Sequence, residues 1–367
     1  MMMSKKIIFL FLLLLPNICI SDFCPTCEDK VHKFLYPQKR LIKILSIDGG
    51  GIRGIIPIII LKNIESRLKK KKSISQCFDV MAGTSTGAII VLMLNVPTYF
   101  GKPRYNPEQI LNLYKTLGDT IFFQSFFRWF FTFNGWFSEK YSSEYLEETM
   151  KDWLGDIRLR DSITNILIPA YDIGNHKALF FRKIKAQIDL GKDFFMRDIG
   201  RASCAAPTYF EPANIESIGG RFSYTLIDGG IAVNNPSISA CVHAIEIYGK
   251  NNDFLVVSLG TGSHYEPENR NFLENTNVFK GGNLQWADKI IDLLIYASSD
   301  TIHYQLLQLL NVSKNYYFRF QPIIDISNKD MDDVSPENID SLEKYAYEII
   351  STQDKQLEEL AKILDSE

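Results

Sequence analysis

The chain has 367 residues, with 40 Lys and Arg against 43 Asp and Glu and a net charge of −3. Charged residues make up 23% and hydrophobic residues 46%, the balance of a folded chain with a sizeable core rather than a disordered one. No basic excess points to a nucleic-acid partner, and none is expected. At the N-terminus, Lys5 and Lys6 precede nine apolar residues, Ile7 to Leu15, which Pro16 and Asn17 break. Small residues at Cys19 and Ser21 fit a cut before Asp22. Residues 1–21 therefore read as a secretory signal peptide, too short for a membrane span, and they predict export. Residues 22–40 read as a linker. It carries Cys24 and Cys27 as a CPTC pair outside the strand-to-helix frame of a redox motif. There is no second CxxC and the five His are scattered, so no metal site is expected.

LIKILSI, Leu41 to Ile47, is a continuous apolar run that suits a strand buried on both faces. A stretch with helical spacing follows through Leu68, and Lys69 to Lys72 close it as a solvated cationic end. CFDVMAG, Cys77 to Gly83, reads as the second strand and Ala88 to Leu94 as a buried helix. Later strands are expected at Asn165 to Ala170, Tyr224 to Ile227, Phe254 to Leu259 and Tyr316 to Phe320, most of them separated by helical stretches. That alternation predicts an α/β fold with a layered sheet. Between Ile121 and Phe137, ten of 17 residues are Phe or Trp. So many aromatics are hard to bury in one short segment. Core packing and a lipid-facing surface over Phe122 to Phe137 both fit them.

GTSTG puts Gly83, Ser85 and Gly87 between the second strand and a helix, the frame of a nucleophile elbow. The turn lifts the serine hydroxyl above the sheet, and the helix N-terminus lies beneath it. DGGGIRG, Asp48 to Gly54, follows the first strand. Its glycines, Gly49, Gly50 and Gly51, let successive N–H groups converge on an anion, which beside an activated serine is the oxyanion of acyl transfer. Arg53 either braces this loop or meets an anionic head group. The same stretch also reads GxGxxG, Gly49 to Gly54, so a dinucleotide site competes. That site needs an acidic residue near the end of the next strand, and Asp79 lies at the wrong end. Asp228 opens a DGG turn with Gly229 and Gly230 after an apolar run, and is the candidate base. His243, His264 and His303 follow it, so chain order leaves a Ser–Asp–His triad open. None of them stands in a distinctive local frame, which favours a Ser–Asp dyad.

Four blocks in order, DGGGIRG, GTSTG, ASCAAPTYF (Ala202 to Phe210) and DGGIAVNNP (Asp228 to Pro236), resemble those of the patatin-like phospholipases. The resemblance runs from about Leu41 to about Ile350 through FLVVSLGTG and ASSDTIHYQL. It implies a three-layer fold, a mostly parallel central sheet with helices on both faces. It assigns residues 41–330 to the catalytic domain and 331–367 to a helical segment packed on it. The implied activity is that of a lipid acyl hydrolase of phospholipase A type, acting on membrane phospholipid or another acyl lipid without calcium or cofactor. Ser85 is the implied nucleophile, Asp228 its base, and the Gly49 to Gly51 amides the oxyanion hole. Gly54, Gly83, Gly87, Gly229, Gly230 and Arg53 are the supporting motif positions. A storage protein keeping the fold with little turnover is the alternative outside enzymes.

Overall fold

The first strand, β1 (Leu41–Ile47), is buried on both faces for a reason visible in its alternation. Leu45 and Ile47 enter one hydrophobic cluster, while Ile42 and Ile44 enter another. Strands β2 (Val80–Gly83), β3 (Asn165–Asp172) and β7 (Asp253–Leu259) divide the same way, so the sheet separates two cores. In the computed structural model, residues 39–116, 143–263, 283–310, 316–325 and 330–366 are described. The described residues from Leu41 onward form one compact unit. The expected signal segment at 1–21, the CPTC pair, His264 and the aromatic block at 121–137 lie outside the described residues.

The remaining strands are β4 (Lys177–Arg182), β5 (Ala213–Glu216), β6 (Ser223–Asp228) and β8 (Tyr316–Phe320). The sheet runs β5-β6-β3-β2-β1-β7-β8, with β4 also on β3. Pairings from β3 through β8 are parallel, whereas β4, β5 and β6 pair antiparallel. The larger core holds helices α1 (Ile55–Arg67), α2 (Thr86–Leu94), α3 (Ser143–Leu154) and α4 (Met196–Ser203). The smaller core is covered by α5 (Ser237–Tyr248) and α6 (Asn283–Leu310). This is the mixed α/β architecture that the alternating elements predict, with the mostly parallel central sheet that the resemblance implies.

Helix α1 shows how burial overrides local preference. Ile55 to Leu61 contains five isoleucines and Pro57, poor material for an isolated helix, yet every one of these residues is buried. Pro57 is tolerated because the first turn asks little of its missing N–H. Helix α7 (Pro336–Thr352) packs on α1, starting at Ser335, whose hydroxyl accepts from Asn338 N. Helix α8 (Asp354–Asp365) buries Leu357, Leu360 and Leu364, and Arg67 ties it back through Asp354 and Glu358.

One feature of β3 brings two distant segments together. Leu167 pairs Ala82 of β2 on one side and Arg182 of β4 on the other. Further along, Ala170 pairs Asp228 of β6 and Leu179 of β4. Strands β2 and β6 therefore share one edge of β3, one parallel and one antiparallel, and end facing each other. Pro169 lies between the two pairings, where its missing N–H is asked for by neither strand.

Candidate active site

Ser85 sits where β2 turns into α2, with φ 53° and ψ −121°. Side-chain-bearing residues rarely adopt a positive φ, and the surrounding contacts hold this one. A Cβ on Gly87 would lie 2.3 Å from the Ile47 carbonyl oxygen, so only glycine lets α2 start this close to β1. Thr84 Oγ1 donates to the Val233 carbonyl at 2.7 Å, and the Thr86 hydroxyl pairs with Tyr114 Oη at 2.7 Å. The Ser85 amide donates to Ser203 Oγ at 3.1 Å.

Asp228 ends β6 and is buried. Its Oδ1 accepts from Gly230 N at 2.7 Å. Burial raises its pKa to about 6, against the pull of the Gly230 amide and of the Ser85 hydroxyl that faces it. Gly229 packs on β3, where a Cβ would lie 2.4 Å from the Pro169 oxygen. Chain spacing places Asp228 at the C-terminal edge by analogy with a parallel strand. The structure reaches the same meeting differently, because β6 is antiparallel and runs toward the end of β2.

The glycine loop leaves β1 at Asp48, whose carboxylate receives both Nη atoms of Arg319, at 3.0 and 2.6 Å. Arg319 Nη1 also donates to Ser258 Oγ at 2.8 Å. Burial pushes the Asp48 pKa up while Arg319 opposes it. Three glycines were expected to offer N–H groups, and they do not behave alike. Gly49 N donates to the Asn234 carbonyl at 3.2 Å, and its own carbonyl accepts from Thr261 Oγ1 at 2.7 Å. Gly50 and Gly51 line the cavity that also contains Ser85 and Asp228. Gly51 has φ +59°, and a Cβ there would meet the Met331 carbonyl at 2.1 Å. Arg53 is buried, with Nε donating to the Gly50 carbonyl at 3.3 Å and Nη1 to Tyr296 Oη at 2.6 Å. Of the two readings of Arg53, the loop brace is the one that this geometry supports. Gly54 packs against Thr86, and Gly83 against the Gly87 carbonyl.

The cavity has a volume of about 140 Å³. Beyond Ser85 and Asp228 its walls are mainly apolar, with Ile89, Leu146, Trp153 and Phe210 among them. Tyr114 and Trp153 stack with centroids 6.0 Å apart. Cys204 also lines it, its thiol pushed up by burial first and then by Asp228. No described histidine lines this cavity. His243 is buried on α5, over the other core, and burial lowers its pKa to about 4. His303 pairs with Tyr317 Oη at 2.9 Å. Among the described residues no cluster of three His, Cys, Asp or Glu could hold a metal ion. The competing dinucleotide reading finds Asp79 used elsewhere, accepting from Lys43 N at 2.8 Å at the far end of β2.

Residues 45–240 match the family model described as "Patatin-like phospholipase". The chain belongs to the patatin-like phospholipase family. It is 35% identical to "Patatin-like protein 2" of Arabidopsis thaliana over 84% of this chain and 83% of that protein. It is 28% identical to "Patatin-04/09" of Solanum tuberosum over 92% and 88% of the two chains. The crystal structure of VipD from Legionella pneumophila covers 88% of this chain and 67% of its own, with a TM-score of 0.37 and 14% identity, too distant to add to the argument. Family membership supports lipid acyl hydrolase activity in general terms.

Several residues that hold the site carry no role in the sequence reading. Ser203, Asn234 and Thr261 brace the elbow and the glycine loop, and Arg319 neutralises Asp48. Arg319 had a usable signal, a guanidinium inside the aromatic strand YYFRF, which demands a buried anion.

Proposed function

We propose that the chain hydrolyses fatty acyl esters of lipids through a Ser85–Asp228 dyad and an acyl-enzyme. The carrying observation is one largely apolar cavity that contains Ser85, Asp228, Gly50 and Gly51 together. Ser85 attacks the ester carbonyl, and its proton passes to Asp228. The oxyanion is met by the Gly50 and Gly51 amides, since the Gly49 amide is already bonded to Asn234. Each such donor is worth roughly 10²–10³ in rate. Asp228 returns the proton to the leaving oxygen, and water then repeats the sequence on the acyl-enzyme.

Burial suits Asp228 to both halves of this work. A carboxylate with a pKa of about 6 is a stronger base than an ordinary aspartate and still gives the proton back. The apolar walls suit an acyl chain, which makes membrane phospholipid or another acyl lipid the substrate class. Export through residues 1–21 and peripheral membrane contact through Phe122 to Phe137 complete the proposal, supported by sequence composition alone.

The test is a serine-reactive fluorophosphonate probe together with a soluble short-chain ester. Ser85→Ala is expected to abolish labelling and to lower hydrolysis by roughly 10⁴-fold or more, with the fold intact. Hydrolysis that survives in Ser85→Ala refutes the dyad. A wild-type protein that neither labels nor turns over is the storage reading.

A further inference from the structure

Around Ser85 the carbonyl is accounted for by α2 itself, since Ala88 N and Ile89 N both donate to it. Its amide belongs to the cap of that helix and has no partner in the helix ladder. The acceptor it finds is Ser203 Oγ, a side chain with no exposed surface. The Ser203 hydroxyl is itself oriented, because it donates to the Pro169 carbonyl at 2.7 Å. One serine thus uses its single hydrogen on β3 and a lone pair on the nucleophile's own peptide.

We propose that Ser203 is a positioning residue for the nucleophile, locking the Ser85 peptide in the conformation that aims its hydroxyl at substrate. This rests on the reading of Ser85 as nucleophile. The other non-glycine residues with positive φ among those described, Lys71, His176 and Thr208, are exposed, where solvent can satisfy a turned peptide. Ser85 is itself half-buried, but it stands between buried Thr84 and Thr86, and its amide is met by Ser203. Its conformation has to be over-determined by protein contacts. Thr84 and Thr86 anchor the flanks through their side chains, whereas Ser203 addresses the strained peptide itself. Pro169 adjoins Ala170, the partner of Asp228 in the β3–β6 ladder. The Ser203 hydroxyl therefore references the nucleophile to the strand that also fixes the base. The next residue, Cys204, lines the cavity, so the end of α4 supports the elbow from behind and forms the wall in front.

The experiment compares full-length wild type with Ser203→Ala, Ser203→Cys and Ser203→Thr. It reads kcat and KM on a soluble ester, the rate of fluorophosphonate labelling, and thermal unfolding. Ser203→Ala is expected to lower kcat per folded molecule by roughly 10–100-fold with KM within about twofold, and labelling is expected to slow in parallel. Ser203→Thr restores the hydroxyl and is expected to recover most of both rates. Ser203→Cys, with a weaker hydrogen-bonding group of similar size, is expected to fall between, and it decides the matter if the alanine variant does not fold. A lower melting temperature with unchanged kcat and labelling rate in a folded Ala or Cys variant reduces Ser203 to a structural role and overturns the proposal. Absence of labelling at Ser85 in the wild type strikes the enzyme reading, and this one with it.

Discussion

Replacing Asp228 with Asn is expected to remove activity and to make the protein more stable at neutral pH. Burial raises the Asp228 pKa from 3.8 to about 6. A carboxyl whose pKa is higher in the folded than in the unfolded state contributes stability that is fully present below pH 3.8. That contribution is lost as the pH rises through about 6. Raising this carboxyl from 3.8 to about 6 corresponds to roughly 3 kcal/mol of destabilisation by the charged group at pH 8. The Asn oxygen keeps an acceptor for Gly230 N, and its new NH₂ forfeits part of the gain, so about 1–3 kcal/mol should remain. For a chain of this size that is on the order of 2–6 °C in melting temperature. Urea unfolding of both proteins at pH 8, 6 and 4 measures the gap, which should be nearly unchanged from pH 8 to pH 6 and should shrink steeply between pH 6 and pH 4. In parallel, wild-type kcat/KM should rise through an apparent pKa of about 6, while the Asn variant stays roughly 10³-fold or more below it. An equal gap at all three pH values, or a less stable variant at pH 8, refutes the account of Asp228 as a buried, strained carboxylate.

Two further perturbations test the supports of the site. Arg319→Met strands the Asp48 carboxylate beneath the glycine loop and should cost about 3–5 kcal/mol in urea unfolding; adding Asp48→Asn should recover most of it. His243 is buried with neither ring nitrogen within hydrogen-bond distance of a partner, Glu246 lying 3.8 Å from Nδ1, and burial first, then Arg182, lowers its pKa to about 4 against the pull of Glu246. Its contribution is present above pH 6.5 and is lost as the pH falls from 6.5 toward 4, so His243→Leu should flatten that acid limb. Catalysis should survive, because His243 lies away from the cavity. Loss of turnover in a folded His243→Leu would return a histidine to the mechanism.

The parallel half of the fold is legible because β1, β3 and β7 are buried on both faces and write themselves as apolar runs. Strands β4 and β5 do not. Lys177 and the four-residue ANIE face solvent on alternate sides or at their ends, and no expected strand falls there. The second strand is shorter than CFDVMAG suggests, because a Ser73–Gln76 capping box takes Ile74–Cys77 into a helical turn. The elbow and the glycine loop are legible as motifs, since their residue types answer a local backbone demand. Which amide of the loop is free is not local: it depends on Asn234, far along the chain, which occupies the Gly49 amide. The direction of β6 likewise depends on its pairing with β5 and β3 rather than on its own composition.

The shared edge of β3 makes that strand a ruler between Ser85 and Asp228. Because the elbow and the acid are both indexed to the stretch around Pro169, stretches of chain between them can lengthen or shorten without altering the gap they must keep. Variation in such a scaffold is cheap in the connecting segments and expensive in a few positions of one strand. A single residue inserted beside Pro169 would shift one party and leave the other behind.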